Sequence, residues 1–104
     1  MEINCEELAI WLAEAKTFHL LDVREPYEVQ QGCAVNAQLI PMGSIPQRLG
    51  ELPEKETPLV VYCAHGVRSY RVTAFLREQG WTQSVSLAGG FGAYLAAGGE
   101  ASRP

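Results

Sequence analysis

The chain is poor in the residues that build metal sites and disulfide frameworks. Only two histidines, His19 and His65, and three cysteines, Cys5, Cys33 and Cys63, occur in 104 residues, and no Cys-x-x-Cys pair is present. Apart from Cys63-x-His65, neither histidine has a second ligand at metal-binding spacing, so a bound metal is not expected. An odd number of widely spaced cysteines also gives no disulfide framework and points to a reducing compartment. Basic charge is scarce as well. Eight Lys and Arg stand against twelve Asp and Glu, a formal net charge of −4, which argues against nucleic-acid binding, because phosphate contacts need a basic patch. No apolar run approaches the length of a membrane span. The acidic start, Met1-Glu2 with Glu6 and Glu7 behind it, is unlike a signal or transit peptide. A cytoplasmic protein with no membrane partner is the expectation.

What is present suffices for one core. Apolar residues make up 47% of the chain, enough for a single α/β domain over residues 1–104 without covalent staples. Asn4 with Glu7 has the form of a capping box, and Leu8, Trp11, Leu12 and Ala15 share a helical face, which predicts a first helix near residues 5–15. Phe18 to Val23 reads as a buried strand, and Pro26 is placed to begin a short helix. A strand over 35–40, a short helix over 44–52, a strand over 58–62, a helix from Ser69 to about Gln79, a strand over 84–87 and a helix over 91–97 follow. Such alternation calls for a mostly parallel sheet covered on both faces. The small, polar tail over 98–104 is expected to be frayed.

The most informative segment is Cys63-Ala64-His65-Gly66-Val67-Arg68-Ser69, set between the apolar Pro58-Leu59-Val60-Val61-Tyr62 and helical spacing at Val72, Phe75 and Leu76. A strand, a tight turn and a helix N-terminus meet at Cys63. Unpaired amides at a helix N-terminus favour an anion, so Cys63 is expected to ionise more easily than a free thiol and to act as a nucleophile. The amides of Ala64 to Ser69 and the guanidinium of Arg68 are the available donors. Gly66 supplies the backbone freedom that an inward-curling loop needs, and Ser69 can cap the helix or bond the sulfur. His65 is either a donor to a bound anion or an exposed loop residue, while Arg71 reads as a solvated surface charge. Cys5 and Cys33 read as small core hydrophobes. Asp22 ends one strand as Cys63 ends another, and ligands of open parallel sheets bind at carboxyl ends of strands. Asp22 and Arg24 are therefore either direct participants or an ion pair supporting the loop.

These motifs resemble the single-domain rhodaneses, sulfurtransferases of the thiosulfate or persulfide-carrier type. Leu20-Leu21-Asp22-Val23-Arg24-Glu25-Pro26-Tyr27-Glu28 is similar to the family's first signature. Ile40-Pro41-Met42-Gly43 with Ile45-Pro46-Gln47-Arg48-Leu49 is similar to the segment before the active-site strand, Cys63 to Ser69 to the catalytic loop, and Leu87-Ala88-Gly89-Gly90-Phe91 to the closing strand and turn. The resemblance implies a rhodanese-like three-layer sandwich, its mostly parallel central sheet flanked by helices on both faces. It also implies a Cys63 persulfide, no cofactor beyond that covalent sulfur, Arg68 orienting the sulfonate end of a small anionic donor such as thiosulfate, Ser69 supporting the thiolate, and a thiol, cyanide or protein as acceptor. Cysteine-dependent phosphatases of the dual-specificity type resemble rhodaneses in fold, but their loop has one residue more than the six from Cys63 to Arg68. The shorter ring suits one sulfur atom rather than a phosphoryl group. A non-catalytic regulatory module on the same fold is the third alternative. The chain departs from the family at Cys33 and Asn36, where His and Gly are common, and at Tyr94, where Trp is frequent; the last looks like a packing substitution.

Overall fold

The computed structural model describes residues 1–104. Five strands, β1 (Glu2–Ile3), β2 (His19–Asp22), β4 (Gln38–Leu39), β5 (Leu59–Tyr62) and β6 (Ser84–Leu87), form one sheet in the order β1-β6-β5-β2-β4, with every pair parallel. Two-residue strands β3 (Cys33–Ala34) and β7 (Ala101–Ser102) pair antiparallel beside it. Helices α1 (Cys5–Ala13), α2 (Pro26–Val29), α3 (Val67–Glu78) and α4 (Gly90–Ala96) complete the chain.

Alternation along β5 explains the layering. Successive side chains of a strand point to opposite faces. Leu59 and Val61 join Leu21, Val23, Ile40, Val72 and Leu76 in one buried cluster, while Val60 and Tyr62 join Ile3, Leu8, Leu87 and Tyr94 in another. The two clusters lie on opposite faces of the sheet, under α3 on one side and under α1 and α4 on the other. This is the three-layer sandwich expected from the sequence. All four residues of β5 are fully buried, so the residue that leaves its carboxyl end emerges from the rigid centre of the domain.

The Asn4 capping box is present, with the Glu7 amide donating to Asn4 Oδ1 at 2.8 Å and the Asn4 amide to Glu7 Oε1 at 3.2 Å. Elsewhere the structure differs from the sequence reading. The strand over 35–40 shrinks to Gln38–Leu39 because Asn36 takes a φ of +65° and breaks the extended run. The helix over 44–52 is replaced by two 3₁₀ turns, Met42–Ser44 and Leu49–Glu51. Its amides bond three residues back, as in Arg48 to Ile45 and Glu51 to Arg48, and Pro46 has no amide to begin an α-helical ladder. The tail is not frayed over its whole length: β7 pairs with β3, the Glu100 carbonyl accepts from the Val35 amide, and the Tyr94 hydroxyl donates to the same carbonyl. Strand β1 lay outside the sequence reading; two residues carry too little periodicity to register. No helix is long and apolar enough to cross a membrane.

Candidate active site

The loop after β5 is shaped by two glycines. Gly66 has a φ of +104°, where a side chain is strained, and it turns the chain into α3. Gly90, at a φ of +62°, lies so close that a Cβ would overlap the Cys63 and Ala64 carbonyl oxygens, while the next amide, that of Phe91, donates to the Cys63 carbonyl at 2.9 Å. The closing turn thus clamps the back of the loop, and the loop's own amides turn inward. Cys63 Sγ receives the Gly66 amide at 3.0 Å and the Ser69 amide at 3.4 Å, with Ser69 Oγ 3.5 Å away. Cys63 itself is 1% exposed. Burial pushes its thiol up, but hydrogen bonds from the Ser69 hydroxyl and from the amides of Ser69, Gly66 and His65 outweigh burial and leave its pKa below the ordinary cysteine value. The loop is therefore a preorganised set of dipoles around a sulfur anion.

Ser69 is in turn held by a residue that the sequence reading did not single out. Its hydroxyl lies 2.8 Å from Ser86 Oγ on β6 and 3.2 Å from the Gly66 carbonyl. In the thiol form the Ser69 hydroxyl donates to Gly66; once Cys63 ionises it can turn to donate to sulfur while Ser86 donates to it. Both serines are fully buried, so no water replaces a lost partner. Removing the Ser69 hydroxyl, a charge-assisted donor to the thiolate, is expected to raise the Cys63 pKa. Ser86→Ala is expected to raise it less, through weaker polarisation of the Ser69 hydroxyl it contacts. Alkylation rates measured against pH read both shifts, and an unmoved midpoint in Ser86→Ala would sever Ser86 from the site.

Arg68, expected to face the substrate, is paired. Its Nη1 and Nη2 donate to the two carboxylate oxygens of Glu28 on α2 at 2.6 and 2.8 Å. Hydrogen bonding from Arg68 holds the Glu28 carboxyl down to about 2 against the opposing effect of burial, with further help from the Glu25 amide. Asp22 and Arg24 form a separate, buried pair: Arg24 Nη2 donates to Asp22 Oδ2 at 2.8 Å and to the Gly32 carbonyl at 2.7 Å. The Arg24 guanidinium lies 4.6 Å from the Phe91 ring centroid, so this pair braces the residue whose amide clamps Cys63. Among the other loop residues Ala64 is half-buried, while His65 and Val67 are exposed on the rim. Arg71 is exposed, as expected, and shares a groove with His65 and Tyr70. Cys33 is buried, but Cys5 opens α1 partly exposed and is not a core residue. All three cysteines are free, and no group of three or more His, Cys, Asp or Glu side chains comes together.

Glu28 and Ser86 are the site neighbours missed by the sequence reading. Glu28 did carry a signal, since Glu25-x-x-Glu28 forms a capping box around Pro26. Ser86 carried none: it is one of two serines in a four-residue strand, and only the register decides which one meets Ser69.

Residues 5–97 match the family described as the rhodanese-like domain. A sulfurtransferase of Allochromatium vinosum is 40% identical over 89 residues, covering 86% of this chain and 82% of that protein. The thiosulfate sulfurtransferase GlpE of Coxiella burnetii is 35% identical over 85 residues, covering 81% and 78%. Among solved structures, a rhodanese-related protein from Thermoplasma volcanium superposes with a TM-score of 0.82 at 31% identity, covering 97% of this chain and 96% of that one.

Proposed function

The chain belongs to the rhodanese-like domain family and is a sulfurtransferase, and we propose that it carries sulfane sulfur as a persulfide on Cys63. The Cys63 thiolate attacks the outer sulfur of thiosulfate or of a persulfide donor. A bond forms between Sγ and that sulfur, the donor's bond to it breaks, and sulfite or a thiolate leaves with the electron pair. A thiol, cyanide or a protein acceptor then takes the terminal sulfur and returns Cys63 to the thiolate. The observation that carries this reading is the six-residue loop whose Gly66 and Ser69 amides converge on a buried sulfur. Those donors suit an anionic persulfide as well as a thiolate, because both place negative charge on sulfur at the centre of the ring. Neither metal nor organic cofactor is required by these steps. A reducing compartment such as the cytoplasm suits a chain that works through a free thiol.

Exposure to a sulfane donor is expected to add one sulfur atom to the intact mass, and cyanide to remove it as thiocyanate. Turnover of an aryl phosphate with no gain in mass would establish phosphatase chemistry instead. A Cys63 that resists alkylation at neutral pH would establish a non-catalytic module.

A further inference from the structure

We propose that Glu28 sets donor specificity: by neutralising Arg68 it selects a donor whose transferable sulfur sits on a thiol, a persulfide, over one that presents a sulfonate. The inference rests on the sulfur-transfer reading and narrows its donor class. Arg68 is the guanidinium of the loop, and a sulfonate at the site would look to it for a counter-charge. Both of its terminal nitrogens are already committed to Glu28, in the bidentate geometry that makes arginine–carboxylate pairs strong. The pair is partly dehydrated, with Arg68 30% and Glu28 18% exposed. Glu28 is also held from its own side, since its Oε1 accepts the Glu25 amide at 3.0 Å. A pKa of about 2 keeps the carboxylate charged across the working pH range.

A sulfonate therefore has two unfavourable choices. It must displace Glu28 and break a bidentate pair, or lie beside a carboxylate of its own sign. A persulfide needs neither. In R–S–SH the Cys63 thiolate bonds to the terminal sulfur, the S–S bond breaks, and R–S⁻ leaves with the electron pair while the proton stays on the transferred sulfur. The surroundings fit an organic thiol better than a bare oxyanion, because Tyr27, Val67 and Tyr70 are 71%, 65% and 44% exposed on the residues before Glu28 and around Arg68. The cation outside this pair is Arg71, which shares the outer groove of the loop with His65 and Tyr70.

The test compares loading of Cys63 from thiosulfate and from cysteine persulfide in the wild type, Glu28→Gln, Glu28→Ala and Arg71→Ala, with sulfate as an inert competitor of persulfide loading. The wild type is expected to favour the persulfide in kcat/KM and to be inhibited by sulfate only weakly. Both Glu28 variants should lower the KM for thiosulfate and the inhibition constant of sulfate about ten-fold, with persulfide loading within about two-fold of wild type. Parallel loss of loading from both donors in folded Glu28 variants would overturn the proposal, since Glu28 would then only hold the loop together. So would loss of thiosulfate loading in Arg71→Ala, or tight inhibition of the wild type by sulfate, which needs no variant at all. Wild type that loads from both donors, with Glu28→Gln unchanged, overturns this inference alone. Wild type that loads from neither overturns the sulfur-transfer reading and the inference with it.

Discussion

Cys63→Ser is expected to gain no sulfur from any sulfane donor and to lower thiocyanate formation about a thousand-fold or more. A serine hydroxyl in the same ring of amides remains un-ionised near neutral pH, and a carrier bond from sulfur to sulfur cannot form on oxygen. The wild-type rate should rise with pH through a midpoint below that of a free cysteine, about 8.5, because the amides of Gly66 and Ser69 and the Ser69 hydroxyl favour the thiolate. Cys5→Ser and Cys33→Ser should load normally. Cys5 opens α1, and Cys33 lies in β3 paired with Ser102, neither of them within the loop. The decisive contrary result would be a Cys63→Ser protein that still gains one sulfur while Cys33→Ser does not, which would move the carrier to the other buried thiol.

The second large effect is on stability. Arg24→Met should destabilise the fold by about 3–5 kcal/mol, because it leaves the Asp22 carboxylate buried without its cation. Asp22 is fully buried and Arg24 is 6% exposed, so water cannot take over the contacts of 2.8 to 3.2 Å that Arg24 makes through Nε and Nη2. Against a total stability of about 5–15 kcal/mol for a domain of this kind, the loss is large enough to shift the urea midpoint far below wild type. The double variant Asp22→Asn with Arg24→Met should recover at least half of it, since a neutral amide costs less to bury than an unpaired charge. At temperatures where Arg24→Met remains folded, sulfur loading of Cys63 should persist, because a pair this deeply buried cannot touch a donor. Folded Arg24→Met that has lost loading would instead give the pair a direct part in the chemistry.

Glu28 and Arg68 form a pair of a different kind, partly exposed and near the mouth of the loop. Their effects should appear in donor preference before stability, because a partly solvated pair contributes little to folding. The contrast between the two ion pairs is set by burial. One is sealed between β2, Gly32 and Phe91; the other can exchange partners with an incoming anion.

Much of this was legible along the chain. The capping box at Asn4, the helix begun by Pro26, the buried run ending at Cys63 and the helical spacing beyond Ser69 are local signals, each read from residues within one or two turns of each other. The order of these elements was enough for a parallel sheet covered on both faces, and the six-residue spacing from Cys63 to Arg68 was enough to favour a sulfur-sized ring. These features depend on near neighbours, and near neighbours are what a sequence displays. Tertiary structure decided the rest. Glu28 meets Arg68 across forty positions and Ser69 meets Ser86 across seventeen; Gly90 fits against the Cys63 carbonyl, and the tail becomes a strand only because β3 offers an edge. Each of these depends on strand register and on which face a side chain takes once the sheet has closed, and a shift of one residue would turn Ser86 away from the site. The nucleophile was thus written locally, while its supporting hydroxyl and the carboxylate that neutralises Arg68 were chosen by packing.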